Sequence, residues 1–142
     1  MKHKFFFILF FLFHCQFGFS QQADSRLRQW SDKHSIEKAW LHFDRDNYLA
    51  GETAWFKAYL FADYQPDTIS TSLYVELLHP NLSLFSRKIL PILDGRTMGQ
   101  FELPDTLSTG KYFIRAYTPS MLNAAPGQDG AFIFQRSIFV FG

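Results

Sequence analysis

Leu103-Pro104-Asp105-Thr106-Leu107-Ser108-Thr109-Gly110-Lys111-Tyr112-Phe113-Ile114-Arg115-Ala116-Tyr117-Thr118 reads as a bend that runs into a strand. Pro104, Asp105 and Gly110 supply turn chemistry, and Tyr112 to Thr118 is rich in aromatic and β-branched residues. Gly110 is expected to let the backbone bend without a Cβ clash. Tyr112 follows two residues later, where its ring can fill the end of a core and its hydroxyl can bond a backbone group of the preceding loop. This is how one corner of a β-sandwich looks, and it points to a module rather than an active site.

The same reading extends in both directions from the corner. Toward the N-terminus, Thr97–Leu103 alternates Phe101 and Leu103 inward with Gln100 and Glu102 outward, and Asp94-Gly95 is a two-residue hairpin signal before it. Leu82–Ile92 is a strand whose Pro91 marks an edge or an end. Thr71–Leu78 precedes it and stops at His79-Pro80-Asn81. Thr53–Phe61 places Ala54, Phe56, Ala58 and Leu60 on one side and Trp55, Lys57 and Tyr59 on the other. From Glu37, Ala39, Leu41 and Phe43 alternate with Lys38, Trp40, His42 and Asp44. Arg45–Glu52 and Asp63–Ser70 read as turn and loop. Toward the C-terminus, a loop over Pro119–Gly130 leads into a last strand, Ala131–Phe141. The expectation is an all-β fold, a seven-stranded antiparallel sandwich of immunoglobulin or fibronectin III character over residues 37–142.

Residues 1–20 read as a secretory signal: Lys2, His3 and Lys4, then the apolar run Phe5–Phe13, then Gly18 and Ser20 before a cut at Gln21. The run is shorter than the ~20 residues of a spanning helix. Residues 21–36, with Leu27, Trp30 and His34 at helix-like spacing, are expected to form one short helix or a loosely docked lead-in. Cys15 is the only cysteine, and His14 stands where a lipid-anchor signal would place a small residue. The mature chain is therefore expected to lack disulfides and cysteine-based metal sites, which favours an exported bacterial envelope protein, periplasmic or surface-associated. Removing Lys2 and Lys4 takes the formal charge from +1 to −1, with no basic excess for nucleic acid. Eight of the eighteen phenylalanines lie in the signal, so the remaining domain is less extreme in composition than the whole chain.

Several segments together resemble the macroglobulin-type domain of the alpha-2-macroglobulin-like proteins. They are Ala39–Leu60, which contains Asp44-Arg45, Tyr48 and the string Ala50-Gly51-Glu52-Thr53-x-Trp55-Phe56-Lys57-Ala58, then Leu73–Leu77, then Leu103–Thr118. The resemblance implies one sandwich from a row of such domains, similar to the N-terminal part of a large Gram-negative envelope protein. Its partners would be another envelope protein or further domains of a larger homologue, and its membrane association would come only through tethering. Nothing resembles the thioester motif Cys-x-Glu-Gln, so protease trapping does not carry over.

No constellation of residues points to catalysis. Asp44, Asp46, Asn47 and Glu52 could offer oxygens to calcium, but they lack the twelve-residue loop pattern, and local backbone bonding in a turn accounts for them better. His34, His42 and His79 are scattered, and Ser108-Thr109-Gly110-Lys111 lacks the upstream glycine of a phosphate loop. No cofactor is expected. Trp40, Trp55 and Tyr59 are the candidate interaction surface. Packing of these rings under the N-terminal segment or between the sheets is the first expectation. An exposed row that docks a protein, or stacks on sugars as a carbohydrate-binding module would, is the second. The function expected is a non-enzymatic structural or protein-interaction module.

Overall fold

The computed structural model describes residues 36–122 and 132–142. The expected signal peptide, the lead-in up to residue 35, residues 123–130 of the expected last loop and Ala131 of the expected last strand lie outside the described residues. Within the described residues the chain forms β1 (Glu37–Phe43), β2 (Asn47–Leu49), β3 (Thr53–Ala62), β4 (Gln65–Pro66), β5 (Ser72–Leu78), β6 (Leu84–Pro91), β7 (Arg96–Glu102) and β8 (Gly110–Tyr117). The helical turn α1 (Pro119–Leu122) and β9 (Phe134–Phe141) complete it.

Two sheets face one another. In the first, β3 is central, with β1 antiparallel along one side and β7 along the other. The two residues of β4 continue the β7 side past Phe61. The second sheet has the order β2-β9-β8-β5-β6. Strict alternation sends Leu41, Phe43, Ala54, Phe56, Ala58, Leu60 and Phe101 inward from the first sheet. Leu73, Val75, Leu77, Tyr112, Ile114, Ala116, Ile138 and Val140 meet them from the second. Phe56 lies between Phe43 and Phe101, with ring centroids 5.2 and 5.7 Å apart. Burying each such side chain contributes roughly 1.5–3 kcal/mol, so this layer is the main adhesive of the sandwich.

Two expectations about the strands need correction. There are nine strands among the described residues rather than seven, because β2 falls within the expected Arg45–Glu52 turn and β4 within the expected Asp63–Ser70 loop. The fold is also not wholly antiparallel, since β2 pairs parallel with β9, Tyr48 opposite Val140. The cause is Tyr48, whose ring is buried in the core and draws its strand against the end of the chain. Backbone bonds from Phe139 to Asp46 (2.9 Å) and from Ala50 to Phe141 (2.7 Å) close the seam.

Between β1 and β3 a polar knot replaces a simple turn. The Tyr48 hydroxyl donates to Asp44 Oδ1 at 2.7 Å, and the same oxygen accepts the Trp55 N–H at 3.0 Å. Arg45 forks onto both oxygens of Glu52 at 3.0 and 3.2 Å, and Glu52 also accepts the Leu49 N–H at 2.8 Å. Burial pushes Asp44 up, but the bonds from Tyr48, Trp55 and Arg45 outweigh it and hold the carboxyl below its usual range. Burial, then the Asp44 carboxylate, push the Tyr48 phenol well above its ordinary value. The hairpin from Asp94 to Gly95 turns with φ of 50° and 67°, the mirror-image turn that matches strand twist.

Three carboxylates, Glu37, Asp67 and Glu76, are buried among the described residues, and Asp67 accepts the Ile69 N–H at 2.8 Å in its own loop. Glu37 lies at one end of the core and is held by the hydroxyls of Ser70 (2.8 Å) and Thr118. Glu76 is in the second sheet on the face away from the core, directly between Arg87 of β6 and Arg115 of β8 in register. Arg87 Nε and the Tyr117 hydroxyl donate to its Oε1 at 2.8 and 2.9 Å, and Arg115 Nε and Nη2 to its Oε2 at 2.8 and 2.5 Å. Burial raises Glu76, but Arg115, Arg87 and Tyr117 more than offset it, so the group stays ionised below the usual carboxylate range.

Candidate functional site

The outer face of the first sheet is built by the residues that alternate with the core. On β1 these are Lys38, Trp40 and His42, and on β3 they are Trp55, Lys57, Tyr59 and Phe61. Pair register sets Trp40 opposite Tyr59 and His42 opposite Lys57, and on the other side Met98 opposite Lys57 and Gln100 opposite Trp55. All three candidate aromatics therefore share one face. Trp40 is 61% and Trp55 55% exposed, and Tyr59 is half-buried. The two tryptophans therefore do not pack between the sheets, and the N-terminal segment under which they were also expected to pack lies outside the described residues. Among the described residues Trp40 meets the ring of Phe134 in a T-shaped contact, with centroids 5.7 Å apart.

Two further residues belong to this face. Met98 is 72% and Phe61 41% exposed. Both were readable, since Phe61 continues the Trp55-Lys57-Tyr59 register and Met98 continues that of Gln100 and Glu102. Together these large side chains present on the order of 500 Å² of apolar surface, taking roughly 200–250 Å² for each. That is within the size at which the largest patch of a monomer is often functional, and more than half of the ~800 Å² a standard interface takes from each partner. Cations frame it. Lys57 Nζ stands 5.3 Å over the Tyr59 ring, and Arg96 lies opposite Tyr59.

The remaining singled-out residues hold the domain together. The Tyr112 hydroxyl donates to the Ser108 carbonyl at 3.1 Å. Gly110 does not make the bend through a left-handed backbone, since the positive-φ residues among those described are Gly51, Asp63, Leu82, Asp94 and Gly95. A Cβ at Gly110 would sit 3.3 Å from Pro80 Cγ, so the close approach of the two chain segments is what favours glycine there. The acidic set near the first turn is dispersed into separate bonds: Asp44 to Tyr48 and Trp55, Glu52 to Arg45 and Leu49, and Asp46 to Arg136. His42 is exposed on the first sheet. His79 packs against Phe85 and Tyr112, with centroids 5.1 and 6.0 Å apart.

No protein-family model matches the sequence, and no curated protein is similar to it in sequence. Solved structures with the same fold include bacterial alpha-2-macroglobulins. A Salmonella alpha-2-macroglobulin mutant superposes with a TM-score of 0.61 at 17% identity, over 75% of this chain and 6% of that one. Escherichia coli alpha-2-macroglobulin activated by porcine elastase gives 0.58 at 17% identity, over 74% and 8%. The native conformation of the E. coli protein gives 0.57 at 17% identity, over 73% and 6%. The chain spans less than a tenth of the length of these proteins, and at such identity the likeness is one of fold. The described residues form a macroglobulin-type β-sandwich.

Proposed function

We propose that this chain is a non-enzymatic structural or protein-interaction module of the bacterial cell envelope, which docks a protein neighbour through the outer face of its first sheet. The observation that carries the reading is that Trp40, Trp55, Phe61 and Met98 are all exposed on this one face. Aromatic and methionine side chains of this kind are enriched at interface cores because they bury much area with few rotamers. The fold likeness to one domain of large multidomain proteins supports a neighbour of similar kind, another envelope protein or a further sandwich. The signal-like residues 1–20 support export to the periplasm or the cell surface.

A sugar-stacking role fits this face less well. A stacking platform needs a bare ring face, whereas the Lys57 ammonium occupies that of Tyr59 and lies between Tyr59 and Trp55 along the strand. The test is a photo-crosslinking amino acid placed at position 55 or 98 in the producing bacterium, with position 105 as a control on a distant turn. A discrete protein adduct from the envelope fraction at 55 and 98 only, weakened by Trp40→Ser, is expected. Adducts at neither position, or glycan binding that disappears in Trp55→Ala with the fold retained, would overturn the reading.

A further inference from the structure

The opposite side of the sandwich carries a second site. Across the outer face of the five-stranded sheet runs a groove of about 360 Å³, lined by Leu78, Leu82, Phe113, Arg115, Gln135 and Ser137 among others. Its floor is apolar and its wall is cationic. No carboxylate is among its described lining residues. Arg136 reaches its far end but is spent on Asp46.

Arg115 is presented to this groove in an unusual state. Its Nε and Nη2 are locked on the fully buried Glu76, while its side chain remains 42% exposed, so Nη1 and the outer edge of the guanidinium keep their donors. Arg87 binds the same carboxylate from the other side, and the three groups together leave one net positive charge at the surface. A guanidinium already fixed by a buried carboxylate loses little rotamer freedom on taking a second acid. That is an anion receptor built in advance.

Leu82 is the second observation. It is exposed and holds a φ of +67° in the turn between His79 and Ser83, a backbone region where asparagine or glycine is at ease and leucine is not. The leucine is 62% exposed. Its location on the rim of the groove gives it a use, since strained conformations persist where function requires the side chain.

We propose that this groove binds a protein segment in which a carboxylate stands beside aliphatic side chains. The carboxylate pairs with the outer edge of Arg115, and the aliphatic chain lies over Leu78, Leu82 and Phe113. The planar fork of one guanidinium matches a carboxylate, and the single net charge of the cluster balances one acid rather than a doubly charged phosphate. The site is independent of the first-sheet face, so each can fail alone.

The test is an amide chemical-shift titration of the full chain with a capped hexapeptide of alternating leucine and glutamate, beside its leucine–glutamine counterpart. The acidic peptide is expected to shift Phe113, Arg115, Gln135 and Ser137, and to bind more weakly as salt is raised. Arg115→Gln and, separately, Leu82→Asn should each weaken it by about tenfold, the loss expected for one charged contact or a comparable apolar one. Asparagine suits the turn at position 82, so that variant keeps the fold when it loses binding. Equal binding of the two peptides, shifts confined to the first sheet, or no shifts with either peptide would overturn the proposal.

Discussion

Replacing Glu76 by glutamine should destabilise the domain by about 2–3 kcal/mol at neutral pH. The carboxylate is fully buried and accepts from Arg87 and Tyr117 on one oxygen and from Arg115 on the other. An amide has one accepting oxygen. Turned toward Arg87 and Tyr117, it leaves its NH2 facing Arg115, donor against donor. Breaking a buried ion pair costs about 3–5 kcal/mol when the partner stays dry. Here Arg87 and Arg115 are 46% and 42% exposed and rehydrate, which brings the value below that range. For a sandwich of this size that is a fall of roughly 10 °C in melting temperature. The pH dependence is more diagnostic than the size. A carboxyl held below its usual range in the fold contributes stability that is complete above its unfolded value, near 4.5, and is lost as pH falls through the folded value. Urea unfolding of wild type and Glu76→Gln, followed by far-UV circular dichroism at pH 7 and pH 3, should therefore show a gap that narrows in acid. Asp44 titrates in both proteins and cancels in the difference. A gap under about 0.5 kcal/mol at pH 7, which is ordinary for a surface change, or one that does not narrow with pH, would refute the reasoning.

Three other substitutions separate the forces in the fold. Tyr112→Phe keeps the ring and removes the bond to the Ser108 carbonyl, so a loss of about 1 kcal/mol is expected in the same urea assay, and no loss would remove that bond from the corner. Gly95→Ala meets both a left-handed backbone and a Cβ only 2.7 Å from the Leu60 carbonyl and 2.8 Å from the Asp67 nitrogen. A cost above about 2 kcal/mol, or failure to fold, should follow, and a near-neutral melt would contradict the turn geometry. Leu82→Asn relieves a strained residue with little burial and should raise stability by about 0.5–1 kcal/mol, whereas a loss would mean that the leucine packs against something essential.

The seven long strands were legible because each has a period of two and ends at a residue with a mechanism, such as Pro91 or Asp94-Gly95. What escaped depends on distant partners. The three residues of β2 carry no strand signal of their own, and Asn47–Leu49 becomes a strand only because Phe139–Phe141, some ninety residues later, lies alongside it. Glu76 carries no signal of its own within its strand, and its partners Arg87 and Arg115 lie on two other strands. At the candidate surface, alternation correctly put Trp55, Lys57 and Tyr59 on one face and Trp40 on the polar side of β1. Whether that face was covered is a property of the rest of the chain, which no local pattern encodes. The acidic residues near the first turn resembled a ligand set because their true partners, a phenol, a guanidinium and backbone N–H groups, are assigned only by the fold.

The parallel seam between β2 and β9 sets an order of events during folding. β9 comes last along the chain among the described strands, yet it lies inside its sheet, between β2 and β8. Until Phe134–Phe141 is seated, the five-stranded sheet is split in two, with the edges of β2 and β8 open and Tyr48 without its strand partner Val140. Such open edges are templates for mispairing, and pairings of this sequence separation close slowly. A chain exported as proposed would pass through this open-edged state after translocation, where mispairing competes with the insertion of β9.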